Sequence, residues 1–577
     1  MHVARTATGR PPIHHSFRHP LVSTRHPSLI RPFTQDSPLL LISSAKPFLH
    51  RPELPYLAAI SPTRQNSPAH SRNSLHRLLT TEAKSYLKQQ ALISGKIILF
   101  TSLIAVSGLA IAFGINNEYL ERKYPSPRSW TLISRISYRS ARWNEEPNAN
   151  GSGLPDWAHN GDTFRQLLGR LENPELDGQD LRSHVDGEGI LIPGVGSSGL
   201  DISLKTYEWR QGYYDTLRGC ARAAEHLDGW KLDTTRRIVF PENVVVGLSN
   251  PDPRPCPPGA ALAPREEDCI QAFDPPEKYY MKILTTRGFS TRQRLDAALA
   301  YADWCEFKHL DDTAREMYRW GMDIALEPLS SATVDRDTGV LSAITLKAQL
   351  TDNVLLATTA LGTYFAKTGE AAKALPVFLS LLRARRSLPD APPLQDDKTA
   401  TAKEESTFPI LRAFLNLLTT PPPYPAEPPS GDTPAMRTQR SICEEAGLMT
   451  YVGELLFATS DGPKAKEQGV GWTKEAVDVA EAQMQLLSQR TEERSEAKER
   501  CKECLATSLQ NWKTMVMKME SAEMDQKPHQ GSWGFKSATA DIKKWANERR
   551  TVETREKELR LMLVDDDEVL GVGLLPV

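Results

Sequence analysis

The chain has little of what enzymes and metal sites are made from. No HExxH, GxSxG, Walker A or paired CxxC signature occurs in its 577 residues, so zinc-protease, serine-hydrolase, P-loop and zinc-ribbon chemistries have no motif to stand on. After the first eighty residues histidine is reduced to His159, His184, His226, His309 and His529, none in a recognisable chemical context. Cysteine is scarce too, and its odd number of seven leaves at least one thiol unpaired within the chain. Acid is nearly missing at the N-terminus, where Asp36 and Glu53 stand against ten Arg and Lys up to residue 80. The remainder holds 60 basic and 70 acidic residues, a net charge near minus ten that does not suit nucleic acid. The expectation is a protein without catalysis and without a cofactor.

The first eighty residues are basic, Ser- and His-rich and acid-poor, the composition of a mitochondrial transit peptide. Pro11, Pro12, Pro20, Pro27 and Pro32 rule out a long amphipathic helix there, so the tail is expected to be disordered. Residues 97–115 carry no charge at all. As a helix they would extend roughly 28 Å, close to the hydrocarbon thickness of a bilayer, which predicts a single membrane span. Arg77, Lys84, Lys88 and Lys96 before it balance Arg122, Lys123, Arg128 and Arg135 after it, so flanking charge does not orient it. Import of the basic tail into the matrix would stop at the apolar run and leave the body in the intermembrane space.

The body reads as all-α. Residues 358–381 have the pattern of one tetratricopeptide (TPR) repeat: Leu361, Gly362 and Phe365 on a first helix, a turn at Lys367, Thr368 and Gly369, then Ala374, Phe378 and Leu381 on a second. Gly362 and Ala374 are the small residues a close helix crossing needs, while the large ones fill the seam. The triplet recurs as Tyr301, Ala302 and Cys305, followed by Ala314, Tyr318 and Gly321 before Pro328, and more faintly as Val452, Gly453, Leu456 and as Leu505, Ala506, Leu509. Stacked pairs of this kind form a divergent TPR-like helical solenoid whose concave face binds peptides. The expected groove contacts are Asp303, Glu306, Thr363 and Lys367, with Leu299 and Thr359 beside them. Asp303 and Glu306 would repel an acidic chaperone tail, so the groove is expected to take extended, unfolded or basic segments.

Further helices are expected over 163–171, over 203–225 with Leu204, Tyr207, Gln211, Tyr214 and Leu217 on one face, after Pro275 and Pro276 with Tyr279, Tyr280, Ile283 and Leu284, and over 408–418. Two proline-rich linkers, 388–403 and 421–434, interrupt the body, the second as an exposed excursion. The expected organisation is a presequence and tail (1–90), a transmembrane helix (91–117), a linker (118–160), an N-terminal helical region (161–386), a proline-rich insertion (387–435) and a C-terminal helical region (436–577).

Two motifs argue for less than they suggest. Gly194, Gly196 and Gly199 spell GxGxxG, but Pro193 precedes them and no alternation of strands and helices supplies the parallel sheet a nucleotide site needs. Cys501 and Cys504 form a single CxxC on one helical face, expected as packed thiols, with a redox role as the minor alternative. Cys256 and Cys269 flank a proline-rich loop and could close a disulfide worth on the order of 3 kcal/mol if the body lies in an oxidising space.

The segment Lys278-Tyr-Tyr-Met-Lys-Ile-Leu-Thr-Thr-Arg-Gly288, the pair Leu361-Gly362 and the run Cys501-Lys-Glu-Cys504-Leu-Ala, placed after a basic presequence and one span, resemble the fungal TPR adaptor subunit of the mitochondrial inner-membrane i-AAA protease. The resemblance covers the span and residues 207–517. It implies a non-catalytic domain in the intermembrane space that binds unfolded membrane-protein substrates and delivers them to the protease. The long proline-rich insertions depart from that family. Two other classes remain open: a TPR assembly factor for a respiratory complex, and a membrane-anchored enzyme using the Gly194 loop.

Overall fold

The computed structural model describes residues 81–147, 153–183, 190–192, 196–256, 259, 261–329, 334–336, 338–342, 350–391, 423–459, 462–488, 495–525 and 535–563. The basic tail, Gly194 and the helix expected over 408–418 lie outside them. Contacts divide the chain into Met1–Ser102 and Leu103–Val577.

Helix α1, Thr81–Lys123, is longer at both ends than the expected span. It is long and apolar enough to cross a membrane, and none of its apolar window is buried against protein. Ile98, Leu99, Leu109 and Ile111 are exposed. Thr101 returns its hydroxyl to the carbonyl of Ile97, so the one threonine in the run needs no outside partner.

In the second unit the expected linker 118–160 is largely folded. The end of α1 docks against α2, Leu132–Asn144, through buried polar groups. Arg139 and Arg135 donate to the Glu121 carboxylate, which also receives the Ser126 hydroxyl and amide. Burial lowers the Arg139 pKa, and the nearby carboxylate opposes that shift. Helix α3, Trp157–Glu172, then packs on α4, Tyr207–His226. Thr206 caps α4 by accepting the Trp209 amide, so the helix begins after Leu204, which is left exposed. The single apolar face expected of α4 is therefore a correction: Tyr213, Tyr214, Thr216, Leu217, Gly219 and Ala221 are buried around more than half of its circumference. Gly212 and Gly219 make this possible, because a Cβ there would come within 2.7 Å of Trp130 and 2.5 Å of Phe164.

The all-α expectation needs a second correction. Between α4 and the next helix, strands Trp230–Asp233, Ile238–Pro241 and Cys269–Gln271 form an antiparallel sheet with the first strand in the middle. Asp233 shapes the hairpin turn, its carboxylate accepting from the amides of Thr235 and Arg236 and from the Thr235 hydroxyl. Those hydrogen bonds, the Thr235 hydroxyl foremost, push its pKa down to about 2. Two shorter antiparallel pairs precede α4, one joining Ile190–Ile192 to Gly196–Ser198. The glycine motif thus runs into a hairpin strand and not into a helix.

Beyond the sheet the chain is helical and sequential. Helix α5, Pro276–Thr285, carries proline at its first turn as expected. It is followed by α6 (Thr291–Phe307), α7 (Asp311–Leu326), α8 (Asp352–Lys367), α9 (Ala371–Arg386), α10 (Gln439–Thr459), α11 (Pro463–Ser488), α12 (Ser495–Asp525) and α13 (Phe535–Leu563). Each packs on its successor within the pairs α6–α7, α8–α9, α10–α11 and α12–α13. Alternate helices also meet, α4 with α6, α6 with α8 and α10 with α12.

The expected packing residues sit in these seams. Tyr301, Ala302, Leu361, Phe365, Ala374 and Phe378 are all buried, and a Cβ on Gly362 would lie 2.9 Å from the Phe378 ring and 3.1 Å from Val377. Gly453 plays the same part between α10 and α11, meeting Gly469 and Thr473. Ala506 does not, because it is exposed while Leu505 and Leu509 are buried, so the fourth triplet is not a helix crossing.

The cysteine expectations are overturned. Cys501 is joined to Cys443 across α10 and α12, while Cys504 is a free thiol. Cys256 and Cys269 are both free. Cys269 is held in register with Asp233 by the sheet, which fixes its position independently of Cys256.

Candidate functional site

A cavity of about 820 Å³ opens in the second unit among the inward faces of five helices, with Arg385 of a sixth, α9, also in its wall. Its walls are Gln211, Tyr214, Asp215 and Arg218 from α4, Arg292 and Asp296 from α6, Asp352, Leu356 and Thr359 from α8, Glu444, Leu448 and Tyr451 from α10, and Arg500, Glu503, Cys504 and Thr507 from α12. Spacings of three and four within each group mean that every helix contributes one stripe. The volume falls in the range of ligand clefts, roughly 300–1,000 Å³.

The wall carries both signs of charge. Arg292 pairs with Asp296 at 2.9 Å, Arg500 with Glu503 at 2.8 Å, and Glu444 takes Arg385 at 2.7 Å and Arg440 at 3.2 Å. Asp215 accepts from Tyr138 at 2.9 Å and Gln211 at 3.1 Å. Burial raises the pKa of Asp215, Asp296 and Asp352, against the pull of nearby arginines. The lining as a whole is balanced, with Asp215, Asp296, Asp352, Glu444 and Glu503 against Arg218, Arg292, Arg385, Arg440 and Arg500. Arg385 is only 7% exposed, and its Nε has no hydrogen-bond partner among the described residues. No cluster of three or more His, Cys, Asp or Glu able to hold a metal occurs among the described residues.

The described part of the second proline-rich linker is largely exposed, with 423, 425–429, 433 and 434 open to solvent, but it lies along the body. Residues 423–438 run back across the α4 and α8 ends and edge the cavity with Pro428, Pro429 and Met436. Tyr207 packs edge-on against Tyr424, and each ring's hydroxyl donates to a backbone carbonyl of the other segment, Ala426 at 3.4 Å and Glu208 at 3.5 Å. Farther along, the buried Asn353 donates to the Ser430 carbonyl at 2.8 Å and the Asp432 carboxylate at 2.9 Å, and the Ala435 amide donates to Leu350 at 2.7 Å.

The expected groove residues lie elsewhere. Asp303 and Glu306 both accept from the Tyr318 hydroxyl, at 2.5 and 3.2 Å, and Lys367 lies 3.2 Å from Glu306. Thr363 donates to the carbonyl of Thr359. The structure thus brings Asp303, Glu306 and Lys367 together against α7, outside the cavity. Leu299 packs against the core, and Thr359 alone of the six lines the cavity. Asp296 and Leu356, which line the cavity, stand seven residues, two helical turns, before Asp303 and Thr363 on the same helix stripes. The inward pair Arg292 and Asp296, spaced by four in the first turns of α6, was the available signal.

Compared with protein-family models, with curated proteins and with solved structures, the chain matches none of them.

Proposed function

We propose that this chain is a membrane-anchored adaptor of TPR-like build that holds extended polypeptide segments in the cavity between its helices. One observation carries the reading: five helices, contributed by successive packed pairs, turn one stripe each toward a shared cleft, the arrangement by which helical-repeat proteins bind peptides. Its lining carries paired charges of both signs beside Leu356, Leu448 and Tyr451, which suits a segment of mixed polar and apolar character. This cavity replaces the Asp303–Lys367 rim as the contact surface of the proposal.

The setting we propose is the mitochondrial inner membrane, with α1 crossing once and the body in the intermembrane space. The basic, acid-poor tail and the apolar helix support it, and the Cys443–Cys501 disulfide suits an oxidising compartment. There the resemblance over residues 207–517 gives the role: binding misfolded inner-membrane proteins and presenting them to the i-AAA protease.

A photo-crosslinking amino acid at Leu356, inside the cavity, tests this in intact mitochondria. Adducts with inner-membrane proteins and co-purification of the hexameric protease are expected, while the same probe at the exposed Leu310 should give few. Adducts confined to subunits of one respiratory complex would replace the adaptor with an assembly factor.

A further inference from the structure

The segment at the edge of the cavity is held unequally along its length. From Ser430 onward it is fastened by the buried Asn353, by the Ala435 amide and by Arg437, which pairs with Glu445 at 2.9 Å. Before that point, residues 423 and 425–429 are exposed, and the limb rests on two hydrogen bonds near the distance limit, one ring contact and an Arg210–Glu427 pair at 3.9 Å. The boundary falls just before Ser430. Gly431 belongs to the fastened part: it is buried, its φ is +74°, and the Asn353 side chain 2.3 Å from where a Cβ would stand keeps the position glycine.

The limb is also chemically a ligand. It reads Pro423-Tyr-Pro-Ala-Glu-Pro-Pro429, an extended segment whose prolines cannot donate backbone hydrogen bonds and whose one aromatic ring lies against Tyr207. An aromatic residue beside a proline run is how extended proline-rich peptides are generally recognised. Pro428 and Pro429 are exposed and line the cavity at the same time, so they lie at its edge.

We propose that residues 423–429 are a displaceable internal cover, which lifts as far as the anchored Ser430 and gives up the Tyr207 and Arg210 rim to an extended, proline-containing client segment. This rests on the reading of the cavity as a polypeptide site and adds its regulation: an entering segment must match the cover's chemistry at the rim before it reaches the cavity.

The test uses the full chain in detergent and a fluorescent peptide of residues 423–434 as probe. Replacing residues 424–429 by a glycine–serine stretch of equal length should tighten peptide binding by about ten-fold, the gain expected if about a tenth of the native molecules are open. Tyr424→Ala, which leaves the backbone intact, should give part of that gain, and Tyr207→Ala should abolish it. An unchanged thermal melt confirms that the variants are folded. Equal peptide affinity in wild type and in both uncovered variants, or no binding by any of them, overturns the cover. The two readings fail separately. Client adducts at Leu356 with no peptide response sink the cover alone, whereas strong peptide binding by the uncovered variant with no client adducts upholds the cover and sinks the adaptor.

Discussion

Gly362 shows how much a single position decides. It faces Phe378 and Val377 at distances that leave no room for a side chain, so the pair α8 and α9 can approach only because this residue has no Cβ. Gly362→Leu must push the helices apart or drive Phe378 off its rotamer. The expected loss is about 3 kcal/mol from overpacking, read as a lower melting temperature and weaker peptide binding. Gly362→Ala should cost less, because one methyl group displaces only the near edge of the Phe378 ring and one Val377 methyl. A leucine variant that melts like the wild type would mean that this seam is not closely packed. Positions of this kind were legible in the sequence because a close crossing demands a small residue between large ones, and that demand is local. Ala506 marks the limit of the same logic. It satisfies the triplet pattern and is nevertheless exposed, since spacing says which residues share a face and not whether another helix covers it.

At the scale of elements, helices with strong local signals were readable and elements defined by distant partners were not. Pro276 at the first turn of α5 and the capping box of Ser290 and Gln293 on α6 are start signals written within four residues. The three-stranded sheet has strands of three and four residues, too short for alternation to stand out, and it forms because Asp233 turns the hairpin and Cys269–Gln271 returns from far along the chain. The disulfide is the sharper case. A CxxC motif directed attention to Cys501 and Cys504, yet Cys501 bonds to Cys443, 58 residues away, because α10 and α12 lie side by side. Closing a loop of that length restricts the unfolded chain, and removing it by Cys443→Ser with Cys501→Ser should cost about 4 kcal/mol. Reduction of the wild type should lower its melting temperature toward that of the double variant and leave the variant itself unmoved. A wild type indifferent to reductant would show that the bridge adds no stability.

For the molecule as a whole, the cavity was the least legible feature, since its walls are drawn from residues between Gln211 and Thr507 and one edge from a segment whose prolines are exposed and still lie against the body. Proline only withholds a backbone donor, and a chain without donors can lie across a polar surface as easily as it can leave it. The membrane assignment is the reverse case: an uncharged run long enough to span a bilayer needs no partner to be recognised. It also sets where everything else works, because an α1 that spans the bilayer puts the cavity on one side of it. Leu103→Arg with Ala110→Arg introduces two charges seven residues apart, on one stripe of that helix, and should cost about 5 kcal/mol or more of insertion free energy. The double variant should then leave carbonate-washed membranes, with the body still folded and still able to bind the 423–434 peptide, because none of the cavity walls belongs to α1. Retention in the membrane would mean that α1 is not the anchor. Orientation has its own check, since a body in the intermembrane space becomes open to protease once the outer membrane is ruptured. A C-terminus that stays protected until the inner membrane is dissolved would put the cavity in the matrix, where the proposed delivery to the i-AAA protease could not take place.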